Sequence, residues 1–155
     1  MAFNTSGVFG SLLEDALENT TAYDLPGDSH KVALFDNVTV PDVDATAGNN
    51  IYGSGTWTTG NECSDSTNWD AGGEPLPTPT LVRATGVLTF DGEDVSQGGA
   101  SCTLADVYGS AIFDTTVTNA GICFNDFGGV QAVTSGDFTI QWHANGIFTI
   151  TFTAS

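Results

Sequence analysis

Apolar residues recur at every second position through much of this chain, the period of a strand with one face turned inward. "TLVRA", "GVLTFD", "ASCTL", "DVYGSAIFD" and "AGICFNDF" carry it, with Gly, Asp and Asn between them, and "KVALFDN" precedes them as a first strand. Short strands at close spacing predict a mainly β fold, an antiparallel β-sandwich of jelly-roll or Greek-key-like kind. The beginning of the chain departs from this period. Leu12, Leu13, Ala16 and Leu17 fall at helical spacing with Glu14, Asp15 and Glu18 turned away, and Ser11 with Glu14 reads as a capping box. One short N-terminal α-helix over about 11–19 is the expectation. No repeat or linker divides the remainder, so residues 1–155 read as a single domain.

The closing segment poses a question of register. "SGDFTIQWHANGIFTITFTAS" contains Asn145-Gly146, a dipeptide suited to a two-residue hairpin turn. That turn would set Trp142, Ile140 and Phe138 opposite Thr149, Thr151 and Thr153. A three-residue loop, Ala144 to Gly146, pairs them instead with Phe148, Ile150 and Phe152 and leaves a threonine-rich outer face. Because a one-residue slip flips every side chain, the pattern favours the longer loop, with Gly146 at positive φ and Trp142 in the core.

Two strands are apolar on both faces. "YGSAIFD" sets Ala111 and Phe113 against Tyr108 and Ile112, and "GICFNDF" sets Ile122 and Phe124 against Cys123 and Phe127. Such strands need cover on both sides, from the helix or from a neighbouring subunit. Between Val38 and Pro79 the pattern loosens into Gly-, Asn-, Thr- and Pro-rich chain, with short strands only near Ile51-Tyr52 and Trp57. So long an irregular stretch reads as functional surface.

Charge narrows the function. Nineteen acidic residues against two basic ones give a net charge of -17, which excludes nucleic acid and anionic membranes as partners. The acidity fits a soluble surface, a basic partner or a high-salt environment. No apolar run reaches the length of a membrane span, and "MAFNTSGVFGSLLEDALENTT" lacks the basic leader of a signal peptide. Cys63, Cys102 and Cys123 have no CxxC spacing and read as reduced thilols of a protein made in the cytoplasm, with a Cys102–Cys123 bridge as the alternative.

Catalytic and cofactor signatures are missing from the sequence. "DVDATAG" places Asp42 and Asp44 as weak calcium candidates, but its glycine, Gly48, falls one place late and Gly53 stands where the bidentate glutamate belongs. His30 and His143 share no motif and read as surface or hairpin-end residues, and the cysteines lack zinc spacing. Among the acids no two are singled out as a glycosidase pair. Trp57 and Trp69 form the one candidate sugar platform; the competing reading has them plugging the end of the core.

The strings "KVALFDN", "PDVDAT", "GNECSDSTNWDAGGEPL", "VLTFDGEDV", "VYGSAIFD" and "GDFTIQWHANGIFTI" together resemble small minor capsid or head decoration proteins of tailed viruses, of phage or haloarchaeal origin. The resemblance runs from about Lys31 to Phe152 and rests on glycine and aromatic patterns. It implies a non-enzymatic virion protein, synthesised in the host cytoplasm. Such a protein decorates or stabilises the outside of the head as a decoration, spike or vertex turret, with itself and the major capsid protein as partners. The residues expected to serve as interface are Leu12, Leu13, Tyr108, Ile112, Trp57 and Trp69. The alternative is a glycan-binding module or tail component that contacts the host surface. No cofactor is expected.

Overall fold

The computed structural model describes residues 3–46 and 49–153, with backbone alone at 98–100. It is mainly β, 46% strand and 6% helix, built from antiparallel sheets in a sandwich-like arrangement with one short helix near the N-terminus. After a two-residue strand β1 (Gly7–Val8) comes helix α1 (Gly10–Glu18), and then β2 (His30–Phe35). Two short pieces, β3 (Glu62–Cys63) and β4 (Glu74–Pro75), lead to β5 (Thr80–Ala84) and β6 (Val87–Asp91). Two long strands follow, β7 (Val95–Asp114) and β8 (Ala120–Ile140), and β9 (Phe148–Thr151) is last. One sheet runs β1-β8-β7-β2-β3 with β4 also on β2, and a second runs β5-β6-β9.

β2 is central and reads as an unbroken apolar run because both its faces are buried. Val32 and Leu34 enter a core that includes Trp69, Phe90, Val107, Ile112 and Ile140. Ala33 and Phe35 enter a second core with Phe3, Phe9, Trp57, Phe113 and Phe124. This second core answers the two-faced strands. Their other side is covered by the N-terminal segment and by the Tyr52–Trp57 loop of the same chain, so no neighbouring subunit is required for it. The ring of Phe9 meets those of Trp57 and Phe124 edge-on at 5.7 and 5.2 Å, a preferred aromatic geometry.

The long strands stay paired through several slips of register, and one of them corrects the expected split of faces. Ile112 pairs with Cys123 but Phe113 pairs with Gly121, so Ile122 is an extra residue on β8. The bulge turns Ile122 to the side of Cys123, and both enter the first core while Phe124 enters the second. Tyr108 likewise packs with the second core, away from Ile112.

The loose middle region owes its path to glycine at one point. Gly73 has φ +73°, and a Cβ there would stand 2.6 Å from the carbonyl oxygen of Val32. Only a bare backbone lets β4 lie along β2 at this approach.

The expected terminal hairpin does not form. β8 ends at Ile140, and β9 pairs with β6 through Leu88–Ile150 and Phe90–Phe148. Trp142 pairs with neither Phe148 nor Thr149. Its backbone N–H donates to Asp94 Oδ1 at 2.9 Å and its indole N–H to the Glu93 carbonyl at 3.0 Å. Phe138, Ile140 and Phe148 reach the first core as the pattern expects, but Trp142 packs only at its margin and Phe152, expected on the same face, is 58% exposed. Gly146 has the expected positive φ, +94°, and donates to the His143 carbonyl at 2.8 Å in the turn before β9.

Helix α1 starts one residue earlier than expected and without the capping box. Phe9 is its N-cap, with no side-chain cap bond, while Ser11 is buried and its hydroxyl accepts from Asn50 Nδ2 at 2.8 Å.

Candidate docking surface

The three-stranded sheet alternates as its sequence demands. Leu81, Leu88, Phe148 and Ile150 look toward the helix side, and Thr89, Thr149 and Thr151 look the other way. Helix α1 is nine residues long, roughly 13 Å at the α-helical rise, and covers only part of the inward face. What remains is an open apolar groove of about 370 Å³. Leu12, Leu13 and Ala16 form the helix wall, and Tyr23, Leu25 and Pro26 of the following connector close one side. Leu12 is buried at its base, whereas Leu13 is 41% and Leu17 86% exposed, so the apolar stripe continues onto the helix surface.

Asp24 is the one acid among the lining residues, and Glu14, Asp15 and Glu18 lie on the helix faces turned away from the groove. Burial pushes the Tyr23 hydroxyl above its ordinary pKa, with Asp15 and Asp114 adding to the shift. Arg83, across the β5–β6 ladder from Leu88, is the base whose register position adjoins the groove.

Behind the connector lies a buried polar pair. The Leu25 carbonyl accepts from His30 Nε2 at 2.7 Å, which leaves His30 Nδ1 facing Asp114 Oδ2 at 3.8 Å. Neither facing atom has a hydrogen-bond partner among the described residues. The other oxygen, Asp114 Oδ1, accepts from the backbone N–H groups of Thr116 and Val117 at 2.8 and 3.1 Å. His30 is therefore a core residue, contrary to the surface position expected for it, and His143 is exposed in its turn.

The expected interface residues scatter. Leu12, Ile112, Trp57 and Trp69 are buried, Tyr108 is half-buried over the second core, and only Leu13 presents a substantial open surface. Trp57 and Trp69 are 1% and 0% exposed and offer no ring face to a sugar; they plug the cores. Asp42 Oδ1 accepts from the Asp44 N–H at 2.9 Å in a local turn, Gly48 lies outside the described residues, and no three His, Cys, Asp or Glu cluster for a metal among the described residues. Cys63, Cys102 and Cys123 are free thiols, so the alternative bridge is not made. Burial pushes the Cys63 thiol up to about 11 and Cys123 to about 12, far from the range of a reactive thiolate.

The sequence missed most of the groove. Tyr23, Leu25 and Pro26 sit in a connector that reads as polar turn, although Leu25 amid "YDLPGD" is a signal that something apolar is near. Leu81, Leu88 and Ile150 read simply as core because alternation shows which way a side chain turns and not whether the layer above it is complete. No helix among the described residues is long and apolar enough to cross a membrane. No family model matches this chain, and neither a curated protein nor a solved structure matches it.

Proposed function

We propose that this chain is a non-enzymatic structural protein of a tailed virus, seated on the outside of the head as a decoration, spike or turret and held there by its apolar groove. One observation carries the reading: an open apolar groove between α1 and the small sheet, lined by Leu13, Leu81, Leu88 and Ile150 with little polar chemistry to act on a substrate. The resemblance of "KVALFDN" through "GDFTIQWHANGIFTI" to head decoration proteins supplies the setting. Self-association was expected from the two-faced strands, whose second faces the chain covers itself. The proposal therefore moves the principal contact to the groove and takes the major capsid protein as the partner, with copies brought together by the shell lattice. A glycan-binding role is less favoured because both candidate platform tryptophans are buried.

Purified particles provide the test. Quantitative mass spectrometry and antibody labelling should find the protein in many copies on the head exterior, and Leu13→Ser with Leu17→Ser should strip it from the shell. Confinement to the tail, an interior location, or hydrolytic activity abolished by one carboxylate substitution in a folded protein would each refute the proposal.

A further inference from the structure

We infer that His30 and Asp114 form a proton-dependent latch, which holds the 23–26 wall of the groove against the sheet and lets it go when their shared proton leaves. The latch is a property of the chain alone and does not depend on what the groove holds. Topology fixes its parts. His30 opens β2 and pairs with Asp114 at the end of β7. Both side chains are fully buried, and the ring of Phe90 meets the imidazole edge-on at 5.7 Å. The connector before β2 is a tight turn. The Asp24 carbonyl accepts from the Gly27 and Asp28 N–H groups at 2.8 and 2.7 Å, and Asp28 Oδ2 accepts from the Asp24 N–H at 2.8 Å. Those bonds shape the turn. The bond from His30 Nε2 to the Leu25 carbonyl, at 2.7 Å, fastens it to β2.

One ring serves two acceptors. The Leu25 carbonyl faces Nε2, and Asp114 Oδ2 faces Nδ1 with no other partner among the described residues. A neutral imidazole carries a single N–H. With one further proton on the pair, on Nδ1 or on Oδ2, both acceptors are served and the wall is held. When that proton passes to solvent, one acceptor goes without. The carboxylate prevails, because a hydrogen bond to a charged acceptor is roughly twice as strong as one to a neutral carbonyl. The ring then keeps its proton on Nδ1, and Nε2 turns a lone pair toward the Leu25 carbonyl where a bond had stood. The held state binds one proton more than the released state, so release follows rising pH, and the pair titrates as a unit. The surrounding groups set how far the pH must rise. Asp28 of the connector acts on Asp114, and Asp15 of α1 and Asp114 both act on Tyr23. These carboxylates favour keeping the proton, whereas the Thr116 and Val117 N–H groups on Asp114 Oδ1 favour losing it. β6 presents Phe90, which does not titrate, and no Lys or Arg stands within ion-pair distance of either group among the described residues.

The imidazole nitrogens report the state of the latch. In nitrogen NMR of the full chain, His30 Nε2 should carry a proton at about pH 5, and by about pH 9 the ring's one proton should sit on Nδ1. The ring signals of Tyr23 and the methyl signals of Leu25, both packed against the first core, should shift toward their solvent-exposed values with the same midpoint. Asp114→Asn keeps an oxygen for Thr116 and Val117 and offers an amide N–H to His30 Nδ1. Nε2–H then stays on the Leu25 carbonyl, and the wall should be held across the whole range. Near-ultraviolet circular dichroism follows the rest of the fold, which should not change. Three results overturn the inference in the native chain: Nε2 still protonated at about pH 9, Tyr23 and Leu25 signals that do not follow His30, or unfolding of the whole domain over the same range. A folded Asp114→Asn chain that still releases the wall overturns it as well. The native-chain readings decide the matter even where that variant fails to fold.

Discussion

His30 and Asp114 oppose each other directly across β2 and β7, with Nδ1 3.8 Å from Oδ2 and neither side chain exposed. Because His30 Nε2 donates its N–H to the Leu25 carbonyl, a neutral ring turns a lone pair toward the carboxylate. Two acceptors facing each other in a buried site require a proton on one of them. Burial pushes the Asp114 carboxyl above its ordinary value, against the lowering effect of the Val117 and Thr116 N–H groups and of His30; Asp28 adds to the rise.

The sign of the resulting pH dependence is definite. A carboxyl raised in the folded state holds its proton to higher pH than in the unfolded chain. Its contribution therefore falls as pH rises from the unfolded value, about 3.9, through the folded one. Asp114→Asn keeps an oxygen for Thr116 and Val117 and removes the titration. Urea unfolding should show a flatter stability profile above about pH 4 and no loss at neutral pH. A loss above about 2 kcal/mol at pH 7 with the slope intact would show that the charged carboxylate is needed.

The tryptophans separate by burial. Trp69→Ala and Trp57→Ala each empty a fully buried site and should cost about 3–5 kcal/mol. Trp142 is only half-buried, packing at the margin of the first core and bonded to Glu93 and Asp94, so Trp142→Ala should cost about 1–2 kcal/mol. Equal losses at Trp69 and Trp142 by denaturant titration would contradict this.

Two glycines isolate backbone strain from crowding. Gly53 has φ +87° with open space around a would-be Cβ, whereas Gly73 has φ +73° and meets the Val32 backbone at 2.6 Å. Gly53→Ala should cost about 1 kcal/mol, the conformational term alone. Gly73→Ala adds a clash with backbone that cannot swing aside, and its melting temperature should fall clearly further.

Salt should stabilise the fold. Lys31 and Arg83 make no ion pair among the described residues, so screening has little attraction to weaken and much repulsion, at a net charge of -17, to relieve. The melting temperature should rise from about 0.1 to about 2 M sodium chloride. A flat response would mean the carboxylates are too dispersed to matter.

The pattern of residues read faces more reliably than partners. "TLVRA" and "VLTFD" are β5 and β6 as expected, and Phe148 and Thr149 turn to the expected sides. Yet β9 pairs with β6 across more than fifty intervening residues' worth of chain, and alternation carries no record of which strand lies alongside. Strand β8 reads as fragments because Gly128, Gly129 and Gly136 interrupt it, and in the structure the ladder absorbs them as irregularities. The groove was least legible of all. It is a gap in a layer, and gaps leave no mark on the residues that border them.

The paired strands β7 and β8 also set an order of events. Their turn is local, with Thr118 and Asn119 both left-handed and Asp114 Oδ1 holding two N–H groups of the loop. From it the ladder can zip outward with small added loop entropy, whereas β2 and β9 must each close a long loop to dock. Folding should begin at this turn and be limited by those dockings. Substitutions at Thr118 or Asn119 would then slow refolding in stopped-flow experiments, and Ile150→Val would chiefly hasten unfolding. A hairpin that feeds both cores makes the chain's two halves fold or fail together.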